Sequence, residues 1–354
     1  SDPSDTSVQG SIGAEGIPVE EWEMAPVSMA TGTSYELRLS TSHVFQSATS
    51  DDSRVTALIG SKSTQVQIMA PDEPLDTSIE LALLNEDAEP QGIVTLELSV
   101  KDPDQFELLH NEEPDAPLSE TLLFLEDDFT LGYELYESGE LLVGHGFMPY
   151  EPSVEGASVT SVRENLVLGP LRFYPRRALE FQVEAETERV ELTAAREGFS
   201  NLTLERVPAE RVDGIRWINT LPQLMEGESE ADRPCCEPIG EEEILSFGEE
   251  EQWFSVSLRA TSGAEVVHGT TFSVVSKNPD VCQVSQGIGN NLEQDESQPD
   301  VVLLRDGLRE QVMIMDSRES LGESAECLIE ATLVANPDVT STIAITIPAA
   351  QTNE

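Results

Sequence analysis

Positive charge is scarce in this chain. Its 354 residues include 19 Lys plus Arg against 68 Asp plus Glu, a formal net charge of −49. Lysine occurs at Lys62, Lys101 and Lys277 alone. Nucleic acid and anionic membranes both require a basic footprint, so this balance excludes them as general partners. Aromatic residues are also few, at 5%, which counts against a carbohydrate-binding module built on clustered exposed rings. No apolar run approaches the roughly 18 residues of a membrane-spanning helix. The four histidines, His43, His110, His145 and His268, form no compact metal pattern. No nucleophile elbow, phosphate-binding loop or dinucleotide fingerprint occurs. Carboxylates are so abundant that two of them lying close together carries no information about glycosidase chemistry. These absences leave a non-enzymatic reading.

The acidity itself has three explanations that stay open. It suits a protein adapted to a saline medium, where salt screens self-repulsion. It equally suits an ordinary acidic secreted protein. A surface for basic partners or divalent cations is the third.

What is present is alternation. YELRLSTS (35–42), TQVQIMA (64–70), SIELALLN (78–85) and GIVTLELSV (92–100) place apolar residues at every second position. That period marks half-buried strands. Turn residues separate them, as in Pro71-Asp72-Glu73-Pro74. Amphipathic helices with caps are missing. An all-β chain of tandem immunoglobulin-like sandwiches is expected, three in number and elongated.

One plan occurs twice. MATGTSYELRLSTS leads to FQSATSDDSRVTALIG near the start, and SFGEEEQWFSVSLRAT leads to FSVVSKNPDVCQVSQG much later. Each unit closes on two alternating strands. Between them, FTLGYELYESGELLVGHGF (129–147) reads as a hairpin, followed by further strands. The domains are placed at 17–103, 104–207 and 208–350. Residues 1–16, polar, small and acidic, read as a tether.

Ser276-Lys277-Asn278-Pro279-Asp280-Val281-Cys282-Gln283-Val284 resembles the S-x-N-P-x-V-A-x-V stretch of bacterial immunoglobulin-like (Big) domains. GESAECLIEATL (322–333) resembles that family's G-x-A-x-I-x-A strand. In both places a cysteine stands where the family has another core residue. The resemblance covers the last domain best. It implies a structural or adhesive module, and a shared fold does not by itself assign a function. The opening tether resembles the stretch after the lipid-modified cysteine of surface lipoproteins, although that cysteine is not in this sequence. An N-terminal lipid anchor is therefore an expectation only.

Cys235 and Cys236 are adjacent, and neighbouring cysteines rarely bond each other. Cys282 and Cys327 are the other two. Either Cys282 and Cys327 bridge each other, or each takes one of the adjacent pair and pins the acidic insertion 222–243. The second arrangement is expected here. Zinc is disfavoured because the spacing lacks short Cys-x-Cys arms. Disulfides imply an oxidising compartment.

GHGFMPYEP (144–152) is the loop with the most recognition character. His145, Phe147 and Tyr150 are the candidate binding residues, with burial of the two rings as the preferred alternative. Asp51-Asp52-Ser53 and Asp102-Pro103-Asp104 are oxygen-rich turns, but a calcium cage needs six to eight oxygens. No cofactor or metal site is expected, with calcium at these turns as the weaker alternative. Asn201-Leu202-Thr203 is a glycosylation sequon that matters only in a glycosylating host. The chain is expected to act at a bacterial cell surface as a spacer, scaffold or adhesion module, with surface proteins or glycans as partners. A carbohydrate-binding module and a filament subunit are the alternatives.

Overall fold

Alternating burial runs through the strands Leu75–Leu84, Pro90–Lys101 and Ala325–Leu333 of the computed structural model. The structure describes residues 11–12, 24, 26–39, 43–61, 63–85, 87–109, 121–168, 172–219, 237–239, 245–246, 253–286, 301–305, 312–316 and 324–347. In the strand Pro90–Lys101, Val94, Leu96, Leu98 and Val100 are buried, and Thr95 and Glu97 between them are exposed. Each large apolar side chain taken fully from water contributes about 1.5–3 kcal/mol. A single strand therefore commits strongly to one face.

The first unit contains β1 (Ser11–Ile12), β2 (Val27–Ala30), β3 (Ser34–Leu39), β4 (Val44–Ser50), β5 (Thr56–Ile59), β6 (Gln65–Met69), β7 (Leu75–Leu84) and β8 (Pro90–Lys101). They form two four-stranded sheets, β1-β3-β6-β5 and β2-β8-β7-β4. Between the sheets lies one core, including Leu37, Val66, Ile68, Ile79, Leu81 and Leu96.

The middle unit holds β9 (Gln105–Leu109), β10 (Thr121–Phe124), β11 (Asp128–Glu137), β12 (Glu140–Leu142), β13 (Ser153–Val154), β14 (Ala157–Leu168), β15 (Arg172–Val183), β16 (Arg189–Leu192) and β17 (Leu202–Arg206). One sheet runs β12-β11-β15-β14-β13, with β9 also on β11. The facing layer is β16-β17-β10. Phe129 sits between Phe181 and Phe124, with ring centroids 4.9 and 5.7 Å away.

The last unit is built from β18 (Gly214–Asn219), β19 (Glu237–Pro238), β20 (Leu245–Ser246), β21 (Trp253–Ser262), β22 (Glu265–His268), β23 (Thr271–Ser276), β24 (Cys282–Gln286), β25 (Val301–Arg305), β26 (Val312–Asp316), β27 (Ala325–Leu333) and β28 (Thr340–Ile347). One layer is β20-β28-β27-β23-β25. In the other, β21 is flanked by β18, β22 and β26, and β24 adds to β26. Trp217 of β18 ties the layers by donating its indole N–H to Ser341 Oγ of β28 at 2.9 Å.

The strand pairing itself repeats. In the first unit β4 pairs with β7, β7 with β8, and β2 lies parallel to β8. In the last, β23 pairs with β27, β27 with β28, and β20 lies parallel to β28. The facing sheets likewise read β3-β6-β5 and β21-β26-β24. The two units that share a sequence plan thus share a ladder. The fold is all-β, a tandem of immunoglobulin-like sandwiches. Among the described residues the one helical element is a single 3-10 turn, Ala209–Arg211.

The described residues form three hydrophobic clusters, and strands cross between them. Leu122 and Phe124 of β10 enter the middle core while Leu123 enters the last. β10 is hydrogen-bonded in parallel to β17 on one side and to β22 on the other. One sheet of nine strands therefore runs through both units. A strand buried on both faces loses alternation, which is why Leu122, Leu123 and Phe124 follow one another without a polar residue.

Candidate functional site

The expected recognition loop turns out to be a docking element. Val143 N–H donates to Ser28 O at 2.8 Å and Ala30 N–H to Val143 O at 3.0 Å. His145 and Ser34 exchange both backbone bonds, at 2.7 and 2.9 Å. The loop thereby extends the first unit's sheets with a segment of the middle unit. Side chains are exchanged too: Ala30 joins the middle core and Val143 packs on the first. Gly144 permits this approach. Its φ is +116°, and a Cβ there would stand 2.0 Å from Thr33 Oγ1, so no other residue fits without displacing the junction.

Phe147 and Tyr150 are each 4% exposed and belong to the middle core. An exposed recognition patch at His145, Phe147 and Tyr150 is therefore not what the structure holds. The reason is that the chain leaves the junction in an irregular segment that packs both rings into the middle core. Phe147 is further fixed because its carbonyl accepts the Tyr133 hydroxyl at 2.9 Å, and the Arg196 guanidinium covers its ring at 4.7 Å.

The acidic turns are occupied by structural bonds. Asp102 Oδ1 accepts from Thr31 Oγ1 at 2.7 Å and from Arg196 Nη1 at 3.0 Å, across the junction. Asp104 accepts the Ser138 N–H with both oxygens, at 3.1 and 3.0 Å. Asp51 accepts the Ser78 hydroxyl. Asp52 accepts from the side chain and backbone of Arg54, and these bonds hold its carboxyl down at about 2. Among the described residues no three His, Cys, Asp or Glu side chains converge as metal ligands do. The sequon residue Asn201 is engaged at both ends of its amide, by Ala194 N–H at 2.9 Å and Glu191 Oε1 at 2.8 Å.

The cysteine expectation is corrected. Cys282 and Cys327 bond each other, with Cα atoms 5.7 Å apart. β24 and β27 lie on facing sheets of the last sandwich, and both cysteines point into its core with no exposed surface. That separation falls in the range a disulfide needs, and two core-facing thiols on opposed sheets cannot reach an external insertion. Cys235 and Cys236 lie outside the described residues.

A concave feature among the described residues lies elsewhere, beside the strand Gln105–Leu109 of the middle unit. An open groove of about 380 Å³ is lined by Asp104, Gln105, Phe106, Tyr150, Phe199 and Asn201, among others. Phe106 is its centre. Its ring lies 5.7 Å from Tyr150 at 88°, and 6.0 Å from Phe199. Phe106 and Phe199 are half-buried, and each leaves part of its ring to solvent. Tyr150 contributes a wall, and burial pushes its phenol well above the ordinary range. Aromatic walls with a rim of amide and hydroxyl groups suit a flat ligand with an apolar face and polar edge. Sequence reading found Tyr150 but missed Phe106 and Phe199. They lie 93 positions apart in the chain, and only pairing of β9 with β11 brings the first of them to this groove.

No family model matches this chain, and no curated protein matches it. Several solved structures align with it. A Yersinia pseudotuberculosis adhesin, InvE, aligns over 64% of this chain and 56% of its own, at 11% identity and a TM-score of 0.22. Domains 4–9 of the surface layer protein SbsC align over 92% and 40%, at 10% identity and 0.25. SGBP-B of a Bacteroides ovatus mixed-linkage glucan utilization locus aligns over 95% and 69%, at 6% identity and 0.20. The chain thus spans about half the adhesin's length and less of the surface layer protein's. At these scores the likenesses assign this chain neither ligand nor partner.

Proposed function

We propose that this chain is a non-enzymatic, exported cell-surface protein that works as a spacer or scaffold and presents contact surfaces away from the envelope. The observation that carries this reading is the strand β10, whose opposite faces fill two different cores. Tandem domains joined by a loose linker move independently by default. Here one sheet is continuous across the boundary, and the first boundary is closed by four backbone hydrogen bonds through Val143 and His145. Such junctions transmit position along the chain, which is what a spacer requires. The core disulfide supports an oxidising compartment. Protease shaving of intact cells that make the protein tests the location: release of its fragments without lysis is expected, and complete protection overturns the assignment.

A second reading concerns what is presented. The groove at Phe106 and Phe199 favours a glycan, because a sugar ring offers a flat C–H face to aromatic rings and hydroxyls to the rim. A glycan array, run on the wild type and on Phe106→Ala/Phe199→Ala, decides it. A hit lost in the variant supports glycan adhesion. Silence in both leaves the protein a scaffold without this contact.

A further inference from the structure

The groove beside β9 is held by hydrogen bonds on every side. Asp104 stands immediately before the strand, where its N–H donates to Tyr136 O at 2.9 Å and its carboxylate accepts the Ser138 N–H. Phe106 and Leu108 then face the core opposite Leu135 and Tyr133 of β11, while Gln105 and Glu107 are exposed. Tyr150 is fixed by a backbone bridge to Ala194. Phe199 closes a turn in which its N–H donates to Arg196 O at 3.3 Å. A wall held this way loses little freedom when a ligand arrives.

Its rings enclose a hollow instead of presenting one flat surface. Phe106 meets Tyr150 at 88° with centroids 5.7 Å apart, and Phe199 lies 6.0 Å from Phe106 and 6.1 Å from Phe147. A ring face that borders such a hollow attracts a cation. The charges agree. Among the described lining residues Asp104 alone is charged. Its two oxygens accept the Ser138 N–H at 3.1 and 3.0 Å and keep lone pairs for a further donor. Arg196, two positions before the groove's Gly198, is committed to Asp102 Oδ1 at 3.0 Å and to the Phe147 ring at 4.7 Å. Tyr150 is 4% exposed, and its hydroxyl takes no hydrogen bond from the described residues. Burial is the one cause that raises its phenol, so the group is a neutral O–H. A polar group so placed calls for a partner from the ligand.

We infer that the groove takes a hexosamine unit of a glycan whose amino group is free, with the ammonium against Asp104 and the C–H face of the sugar against Phe106 and Phe199. This rests on the glycan reading of the groove and narrows it. A neutral hexose would use the rings and the Tyr150 hydroxyl but leave the Asp104 charge unanswered. A uronic acid would bring like charge to Asp104 and to a chain of net charge −49. Acetylation of the amine removes the cation and with it the charge-assisted hydrogen bond. A lysine side chain carries the same ammonium, but it offers no ring face to Phe106 and Phe199 and loses more rotamer entropy when fixed.

Isothermal titration of the full chain tests it, with a glucosamine trimer, its N-acetylated counterpart, a galacturonic acid trimer and trilysine as probes. The glucosamine trimer should bind about tenfold or more tighter than the N-acetylated one, and the galacturonic acid trimer should not bind. Asp104→Asn keeps an acceptor for Ser138, so its near-ultraviolet dichroism should match the wild type. It should lose the preference for the free amine while binding the N-acetylated trimer as before. Raising the pH until the amine is neutral should remove the same preference. A chain this acidic attracts any cation, and Phe106→Ala/Phe199→Ala is the control for that. Glucosamine binding that survives this control overturns the inference, and so does trilysine binding of equal or greater strength that Asp104→Asn weakens. Equal binding of the free and N-acetylated trimers overturns it and leaves the glycan reading standing. Silence with all three sugars also overturns it, and the glycan reading then stands or falls on the array.

Discussion

Arg305 holds Asp128 across the boundary between the middle and last cores. Its Nη1 lies 2.7 Å from Asp128 Oδ2 and its Nη2 lies 2.8 Å from Oδ1, a two-pronged grip. The same Nη2 reaches the Asp128 carbonyl at 2.9 Å and Glu126 Oε2 at 3.1 Å. Next to it, Leu125 and Glu126 donate backbone bonds to His268 and Gly269, each at 2.9 Å. A charged clamp thus lies over a hydrogen-bonded seam. Bidentate guanidinium–carboxylate pairs outperform ordinary surface pairs, yet this one is partly solvated and its worth is reduced accordingly.

Arg305→Ala should therefore destabilise the junction by about 1 kcal/mol, and less as salt rises. Urea unfolding of wild type and variant at low and high salt measures this. A difference that does not shrink with salt would remove the electrostatic account of the clamp.

Gly144→Ala should open the other junction. The new methyl would meet Thr33 at 2.0 Å, and the backbone sits at a φ of +116°. Both effects act together, at about 1–3 kcal/mol for strain alone. Limited proteolysis should find a new cut near 140–150 in the variant, with the first and middle cores still intact.

Removing the core disulfide should weaken the last unit specifically. Cys282 and Cys327 are 45 residues apart, and loop-closure entropy gives about 4 kcal/mol for a ring of that size. Calorimetry of Cys282→Ala/Cys327→Ala should show one transition moved down and the transition of the first unit unmoved. A uniform shift would mean the units melt as one body.

Tyr35 provides a pH test. It is buried in the first core, its hydroxyl has no hydrogen-bond partner, and burial pushes its phenol up from 10.0 to about 12. The protonated form is the one the fold favours. Its contribution is therefore fully present below pH 10 and is lost as pH rises through about 12. A shift of that size corresponds to about 2–3 kcal/mol at the alkaline end. Tyr35→Phe should be neutral or slightly stabilising near neutrality, and should melt less steeply with pH between 10 and 12. Parallel melting curves for the two proteins across that window would contradict this.

Much of the architecture was legible because alternation is a local signal. SIELALLN and GIVTLELSV state in sequence what the β7–β8 ladder shows in space. The doubled plan was legible for the same reason. What escaped reading was everything that depends on one segment meeting another. TLLF carries no alternation because both its faces are covered, each by a different unit. The cysteine pairing escaped because sequence does not say which strands face one another; only the opposed positions of β24 and β27 decide it. GHGF has the glycines and aromatic residues of an exposed recognition loop, yet burial of Phe147 and Tyr150, the preferred reading, is what the structure holds; at Gly144 the glycine freedom serves a close approach to Thr33. The groove was half seen, through Tyr150 alone, since Phe106 and Phe199 are ordinary isolated residues in the chain.

The middle and last sandwiches share a sheet through β10, and they should therefore move as one body. Residual dipolar couplings of the full chain test it most directly. One alignment tensor should fit the amides of β11, β15, β21 and β27 together. Two tensors of clearly different magnitude would show that the units tumble separately, and the account of this protein as a spacer would fall with that result.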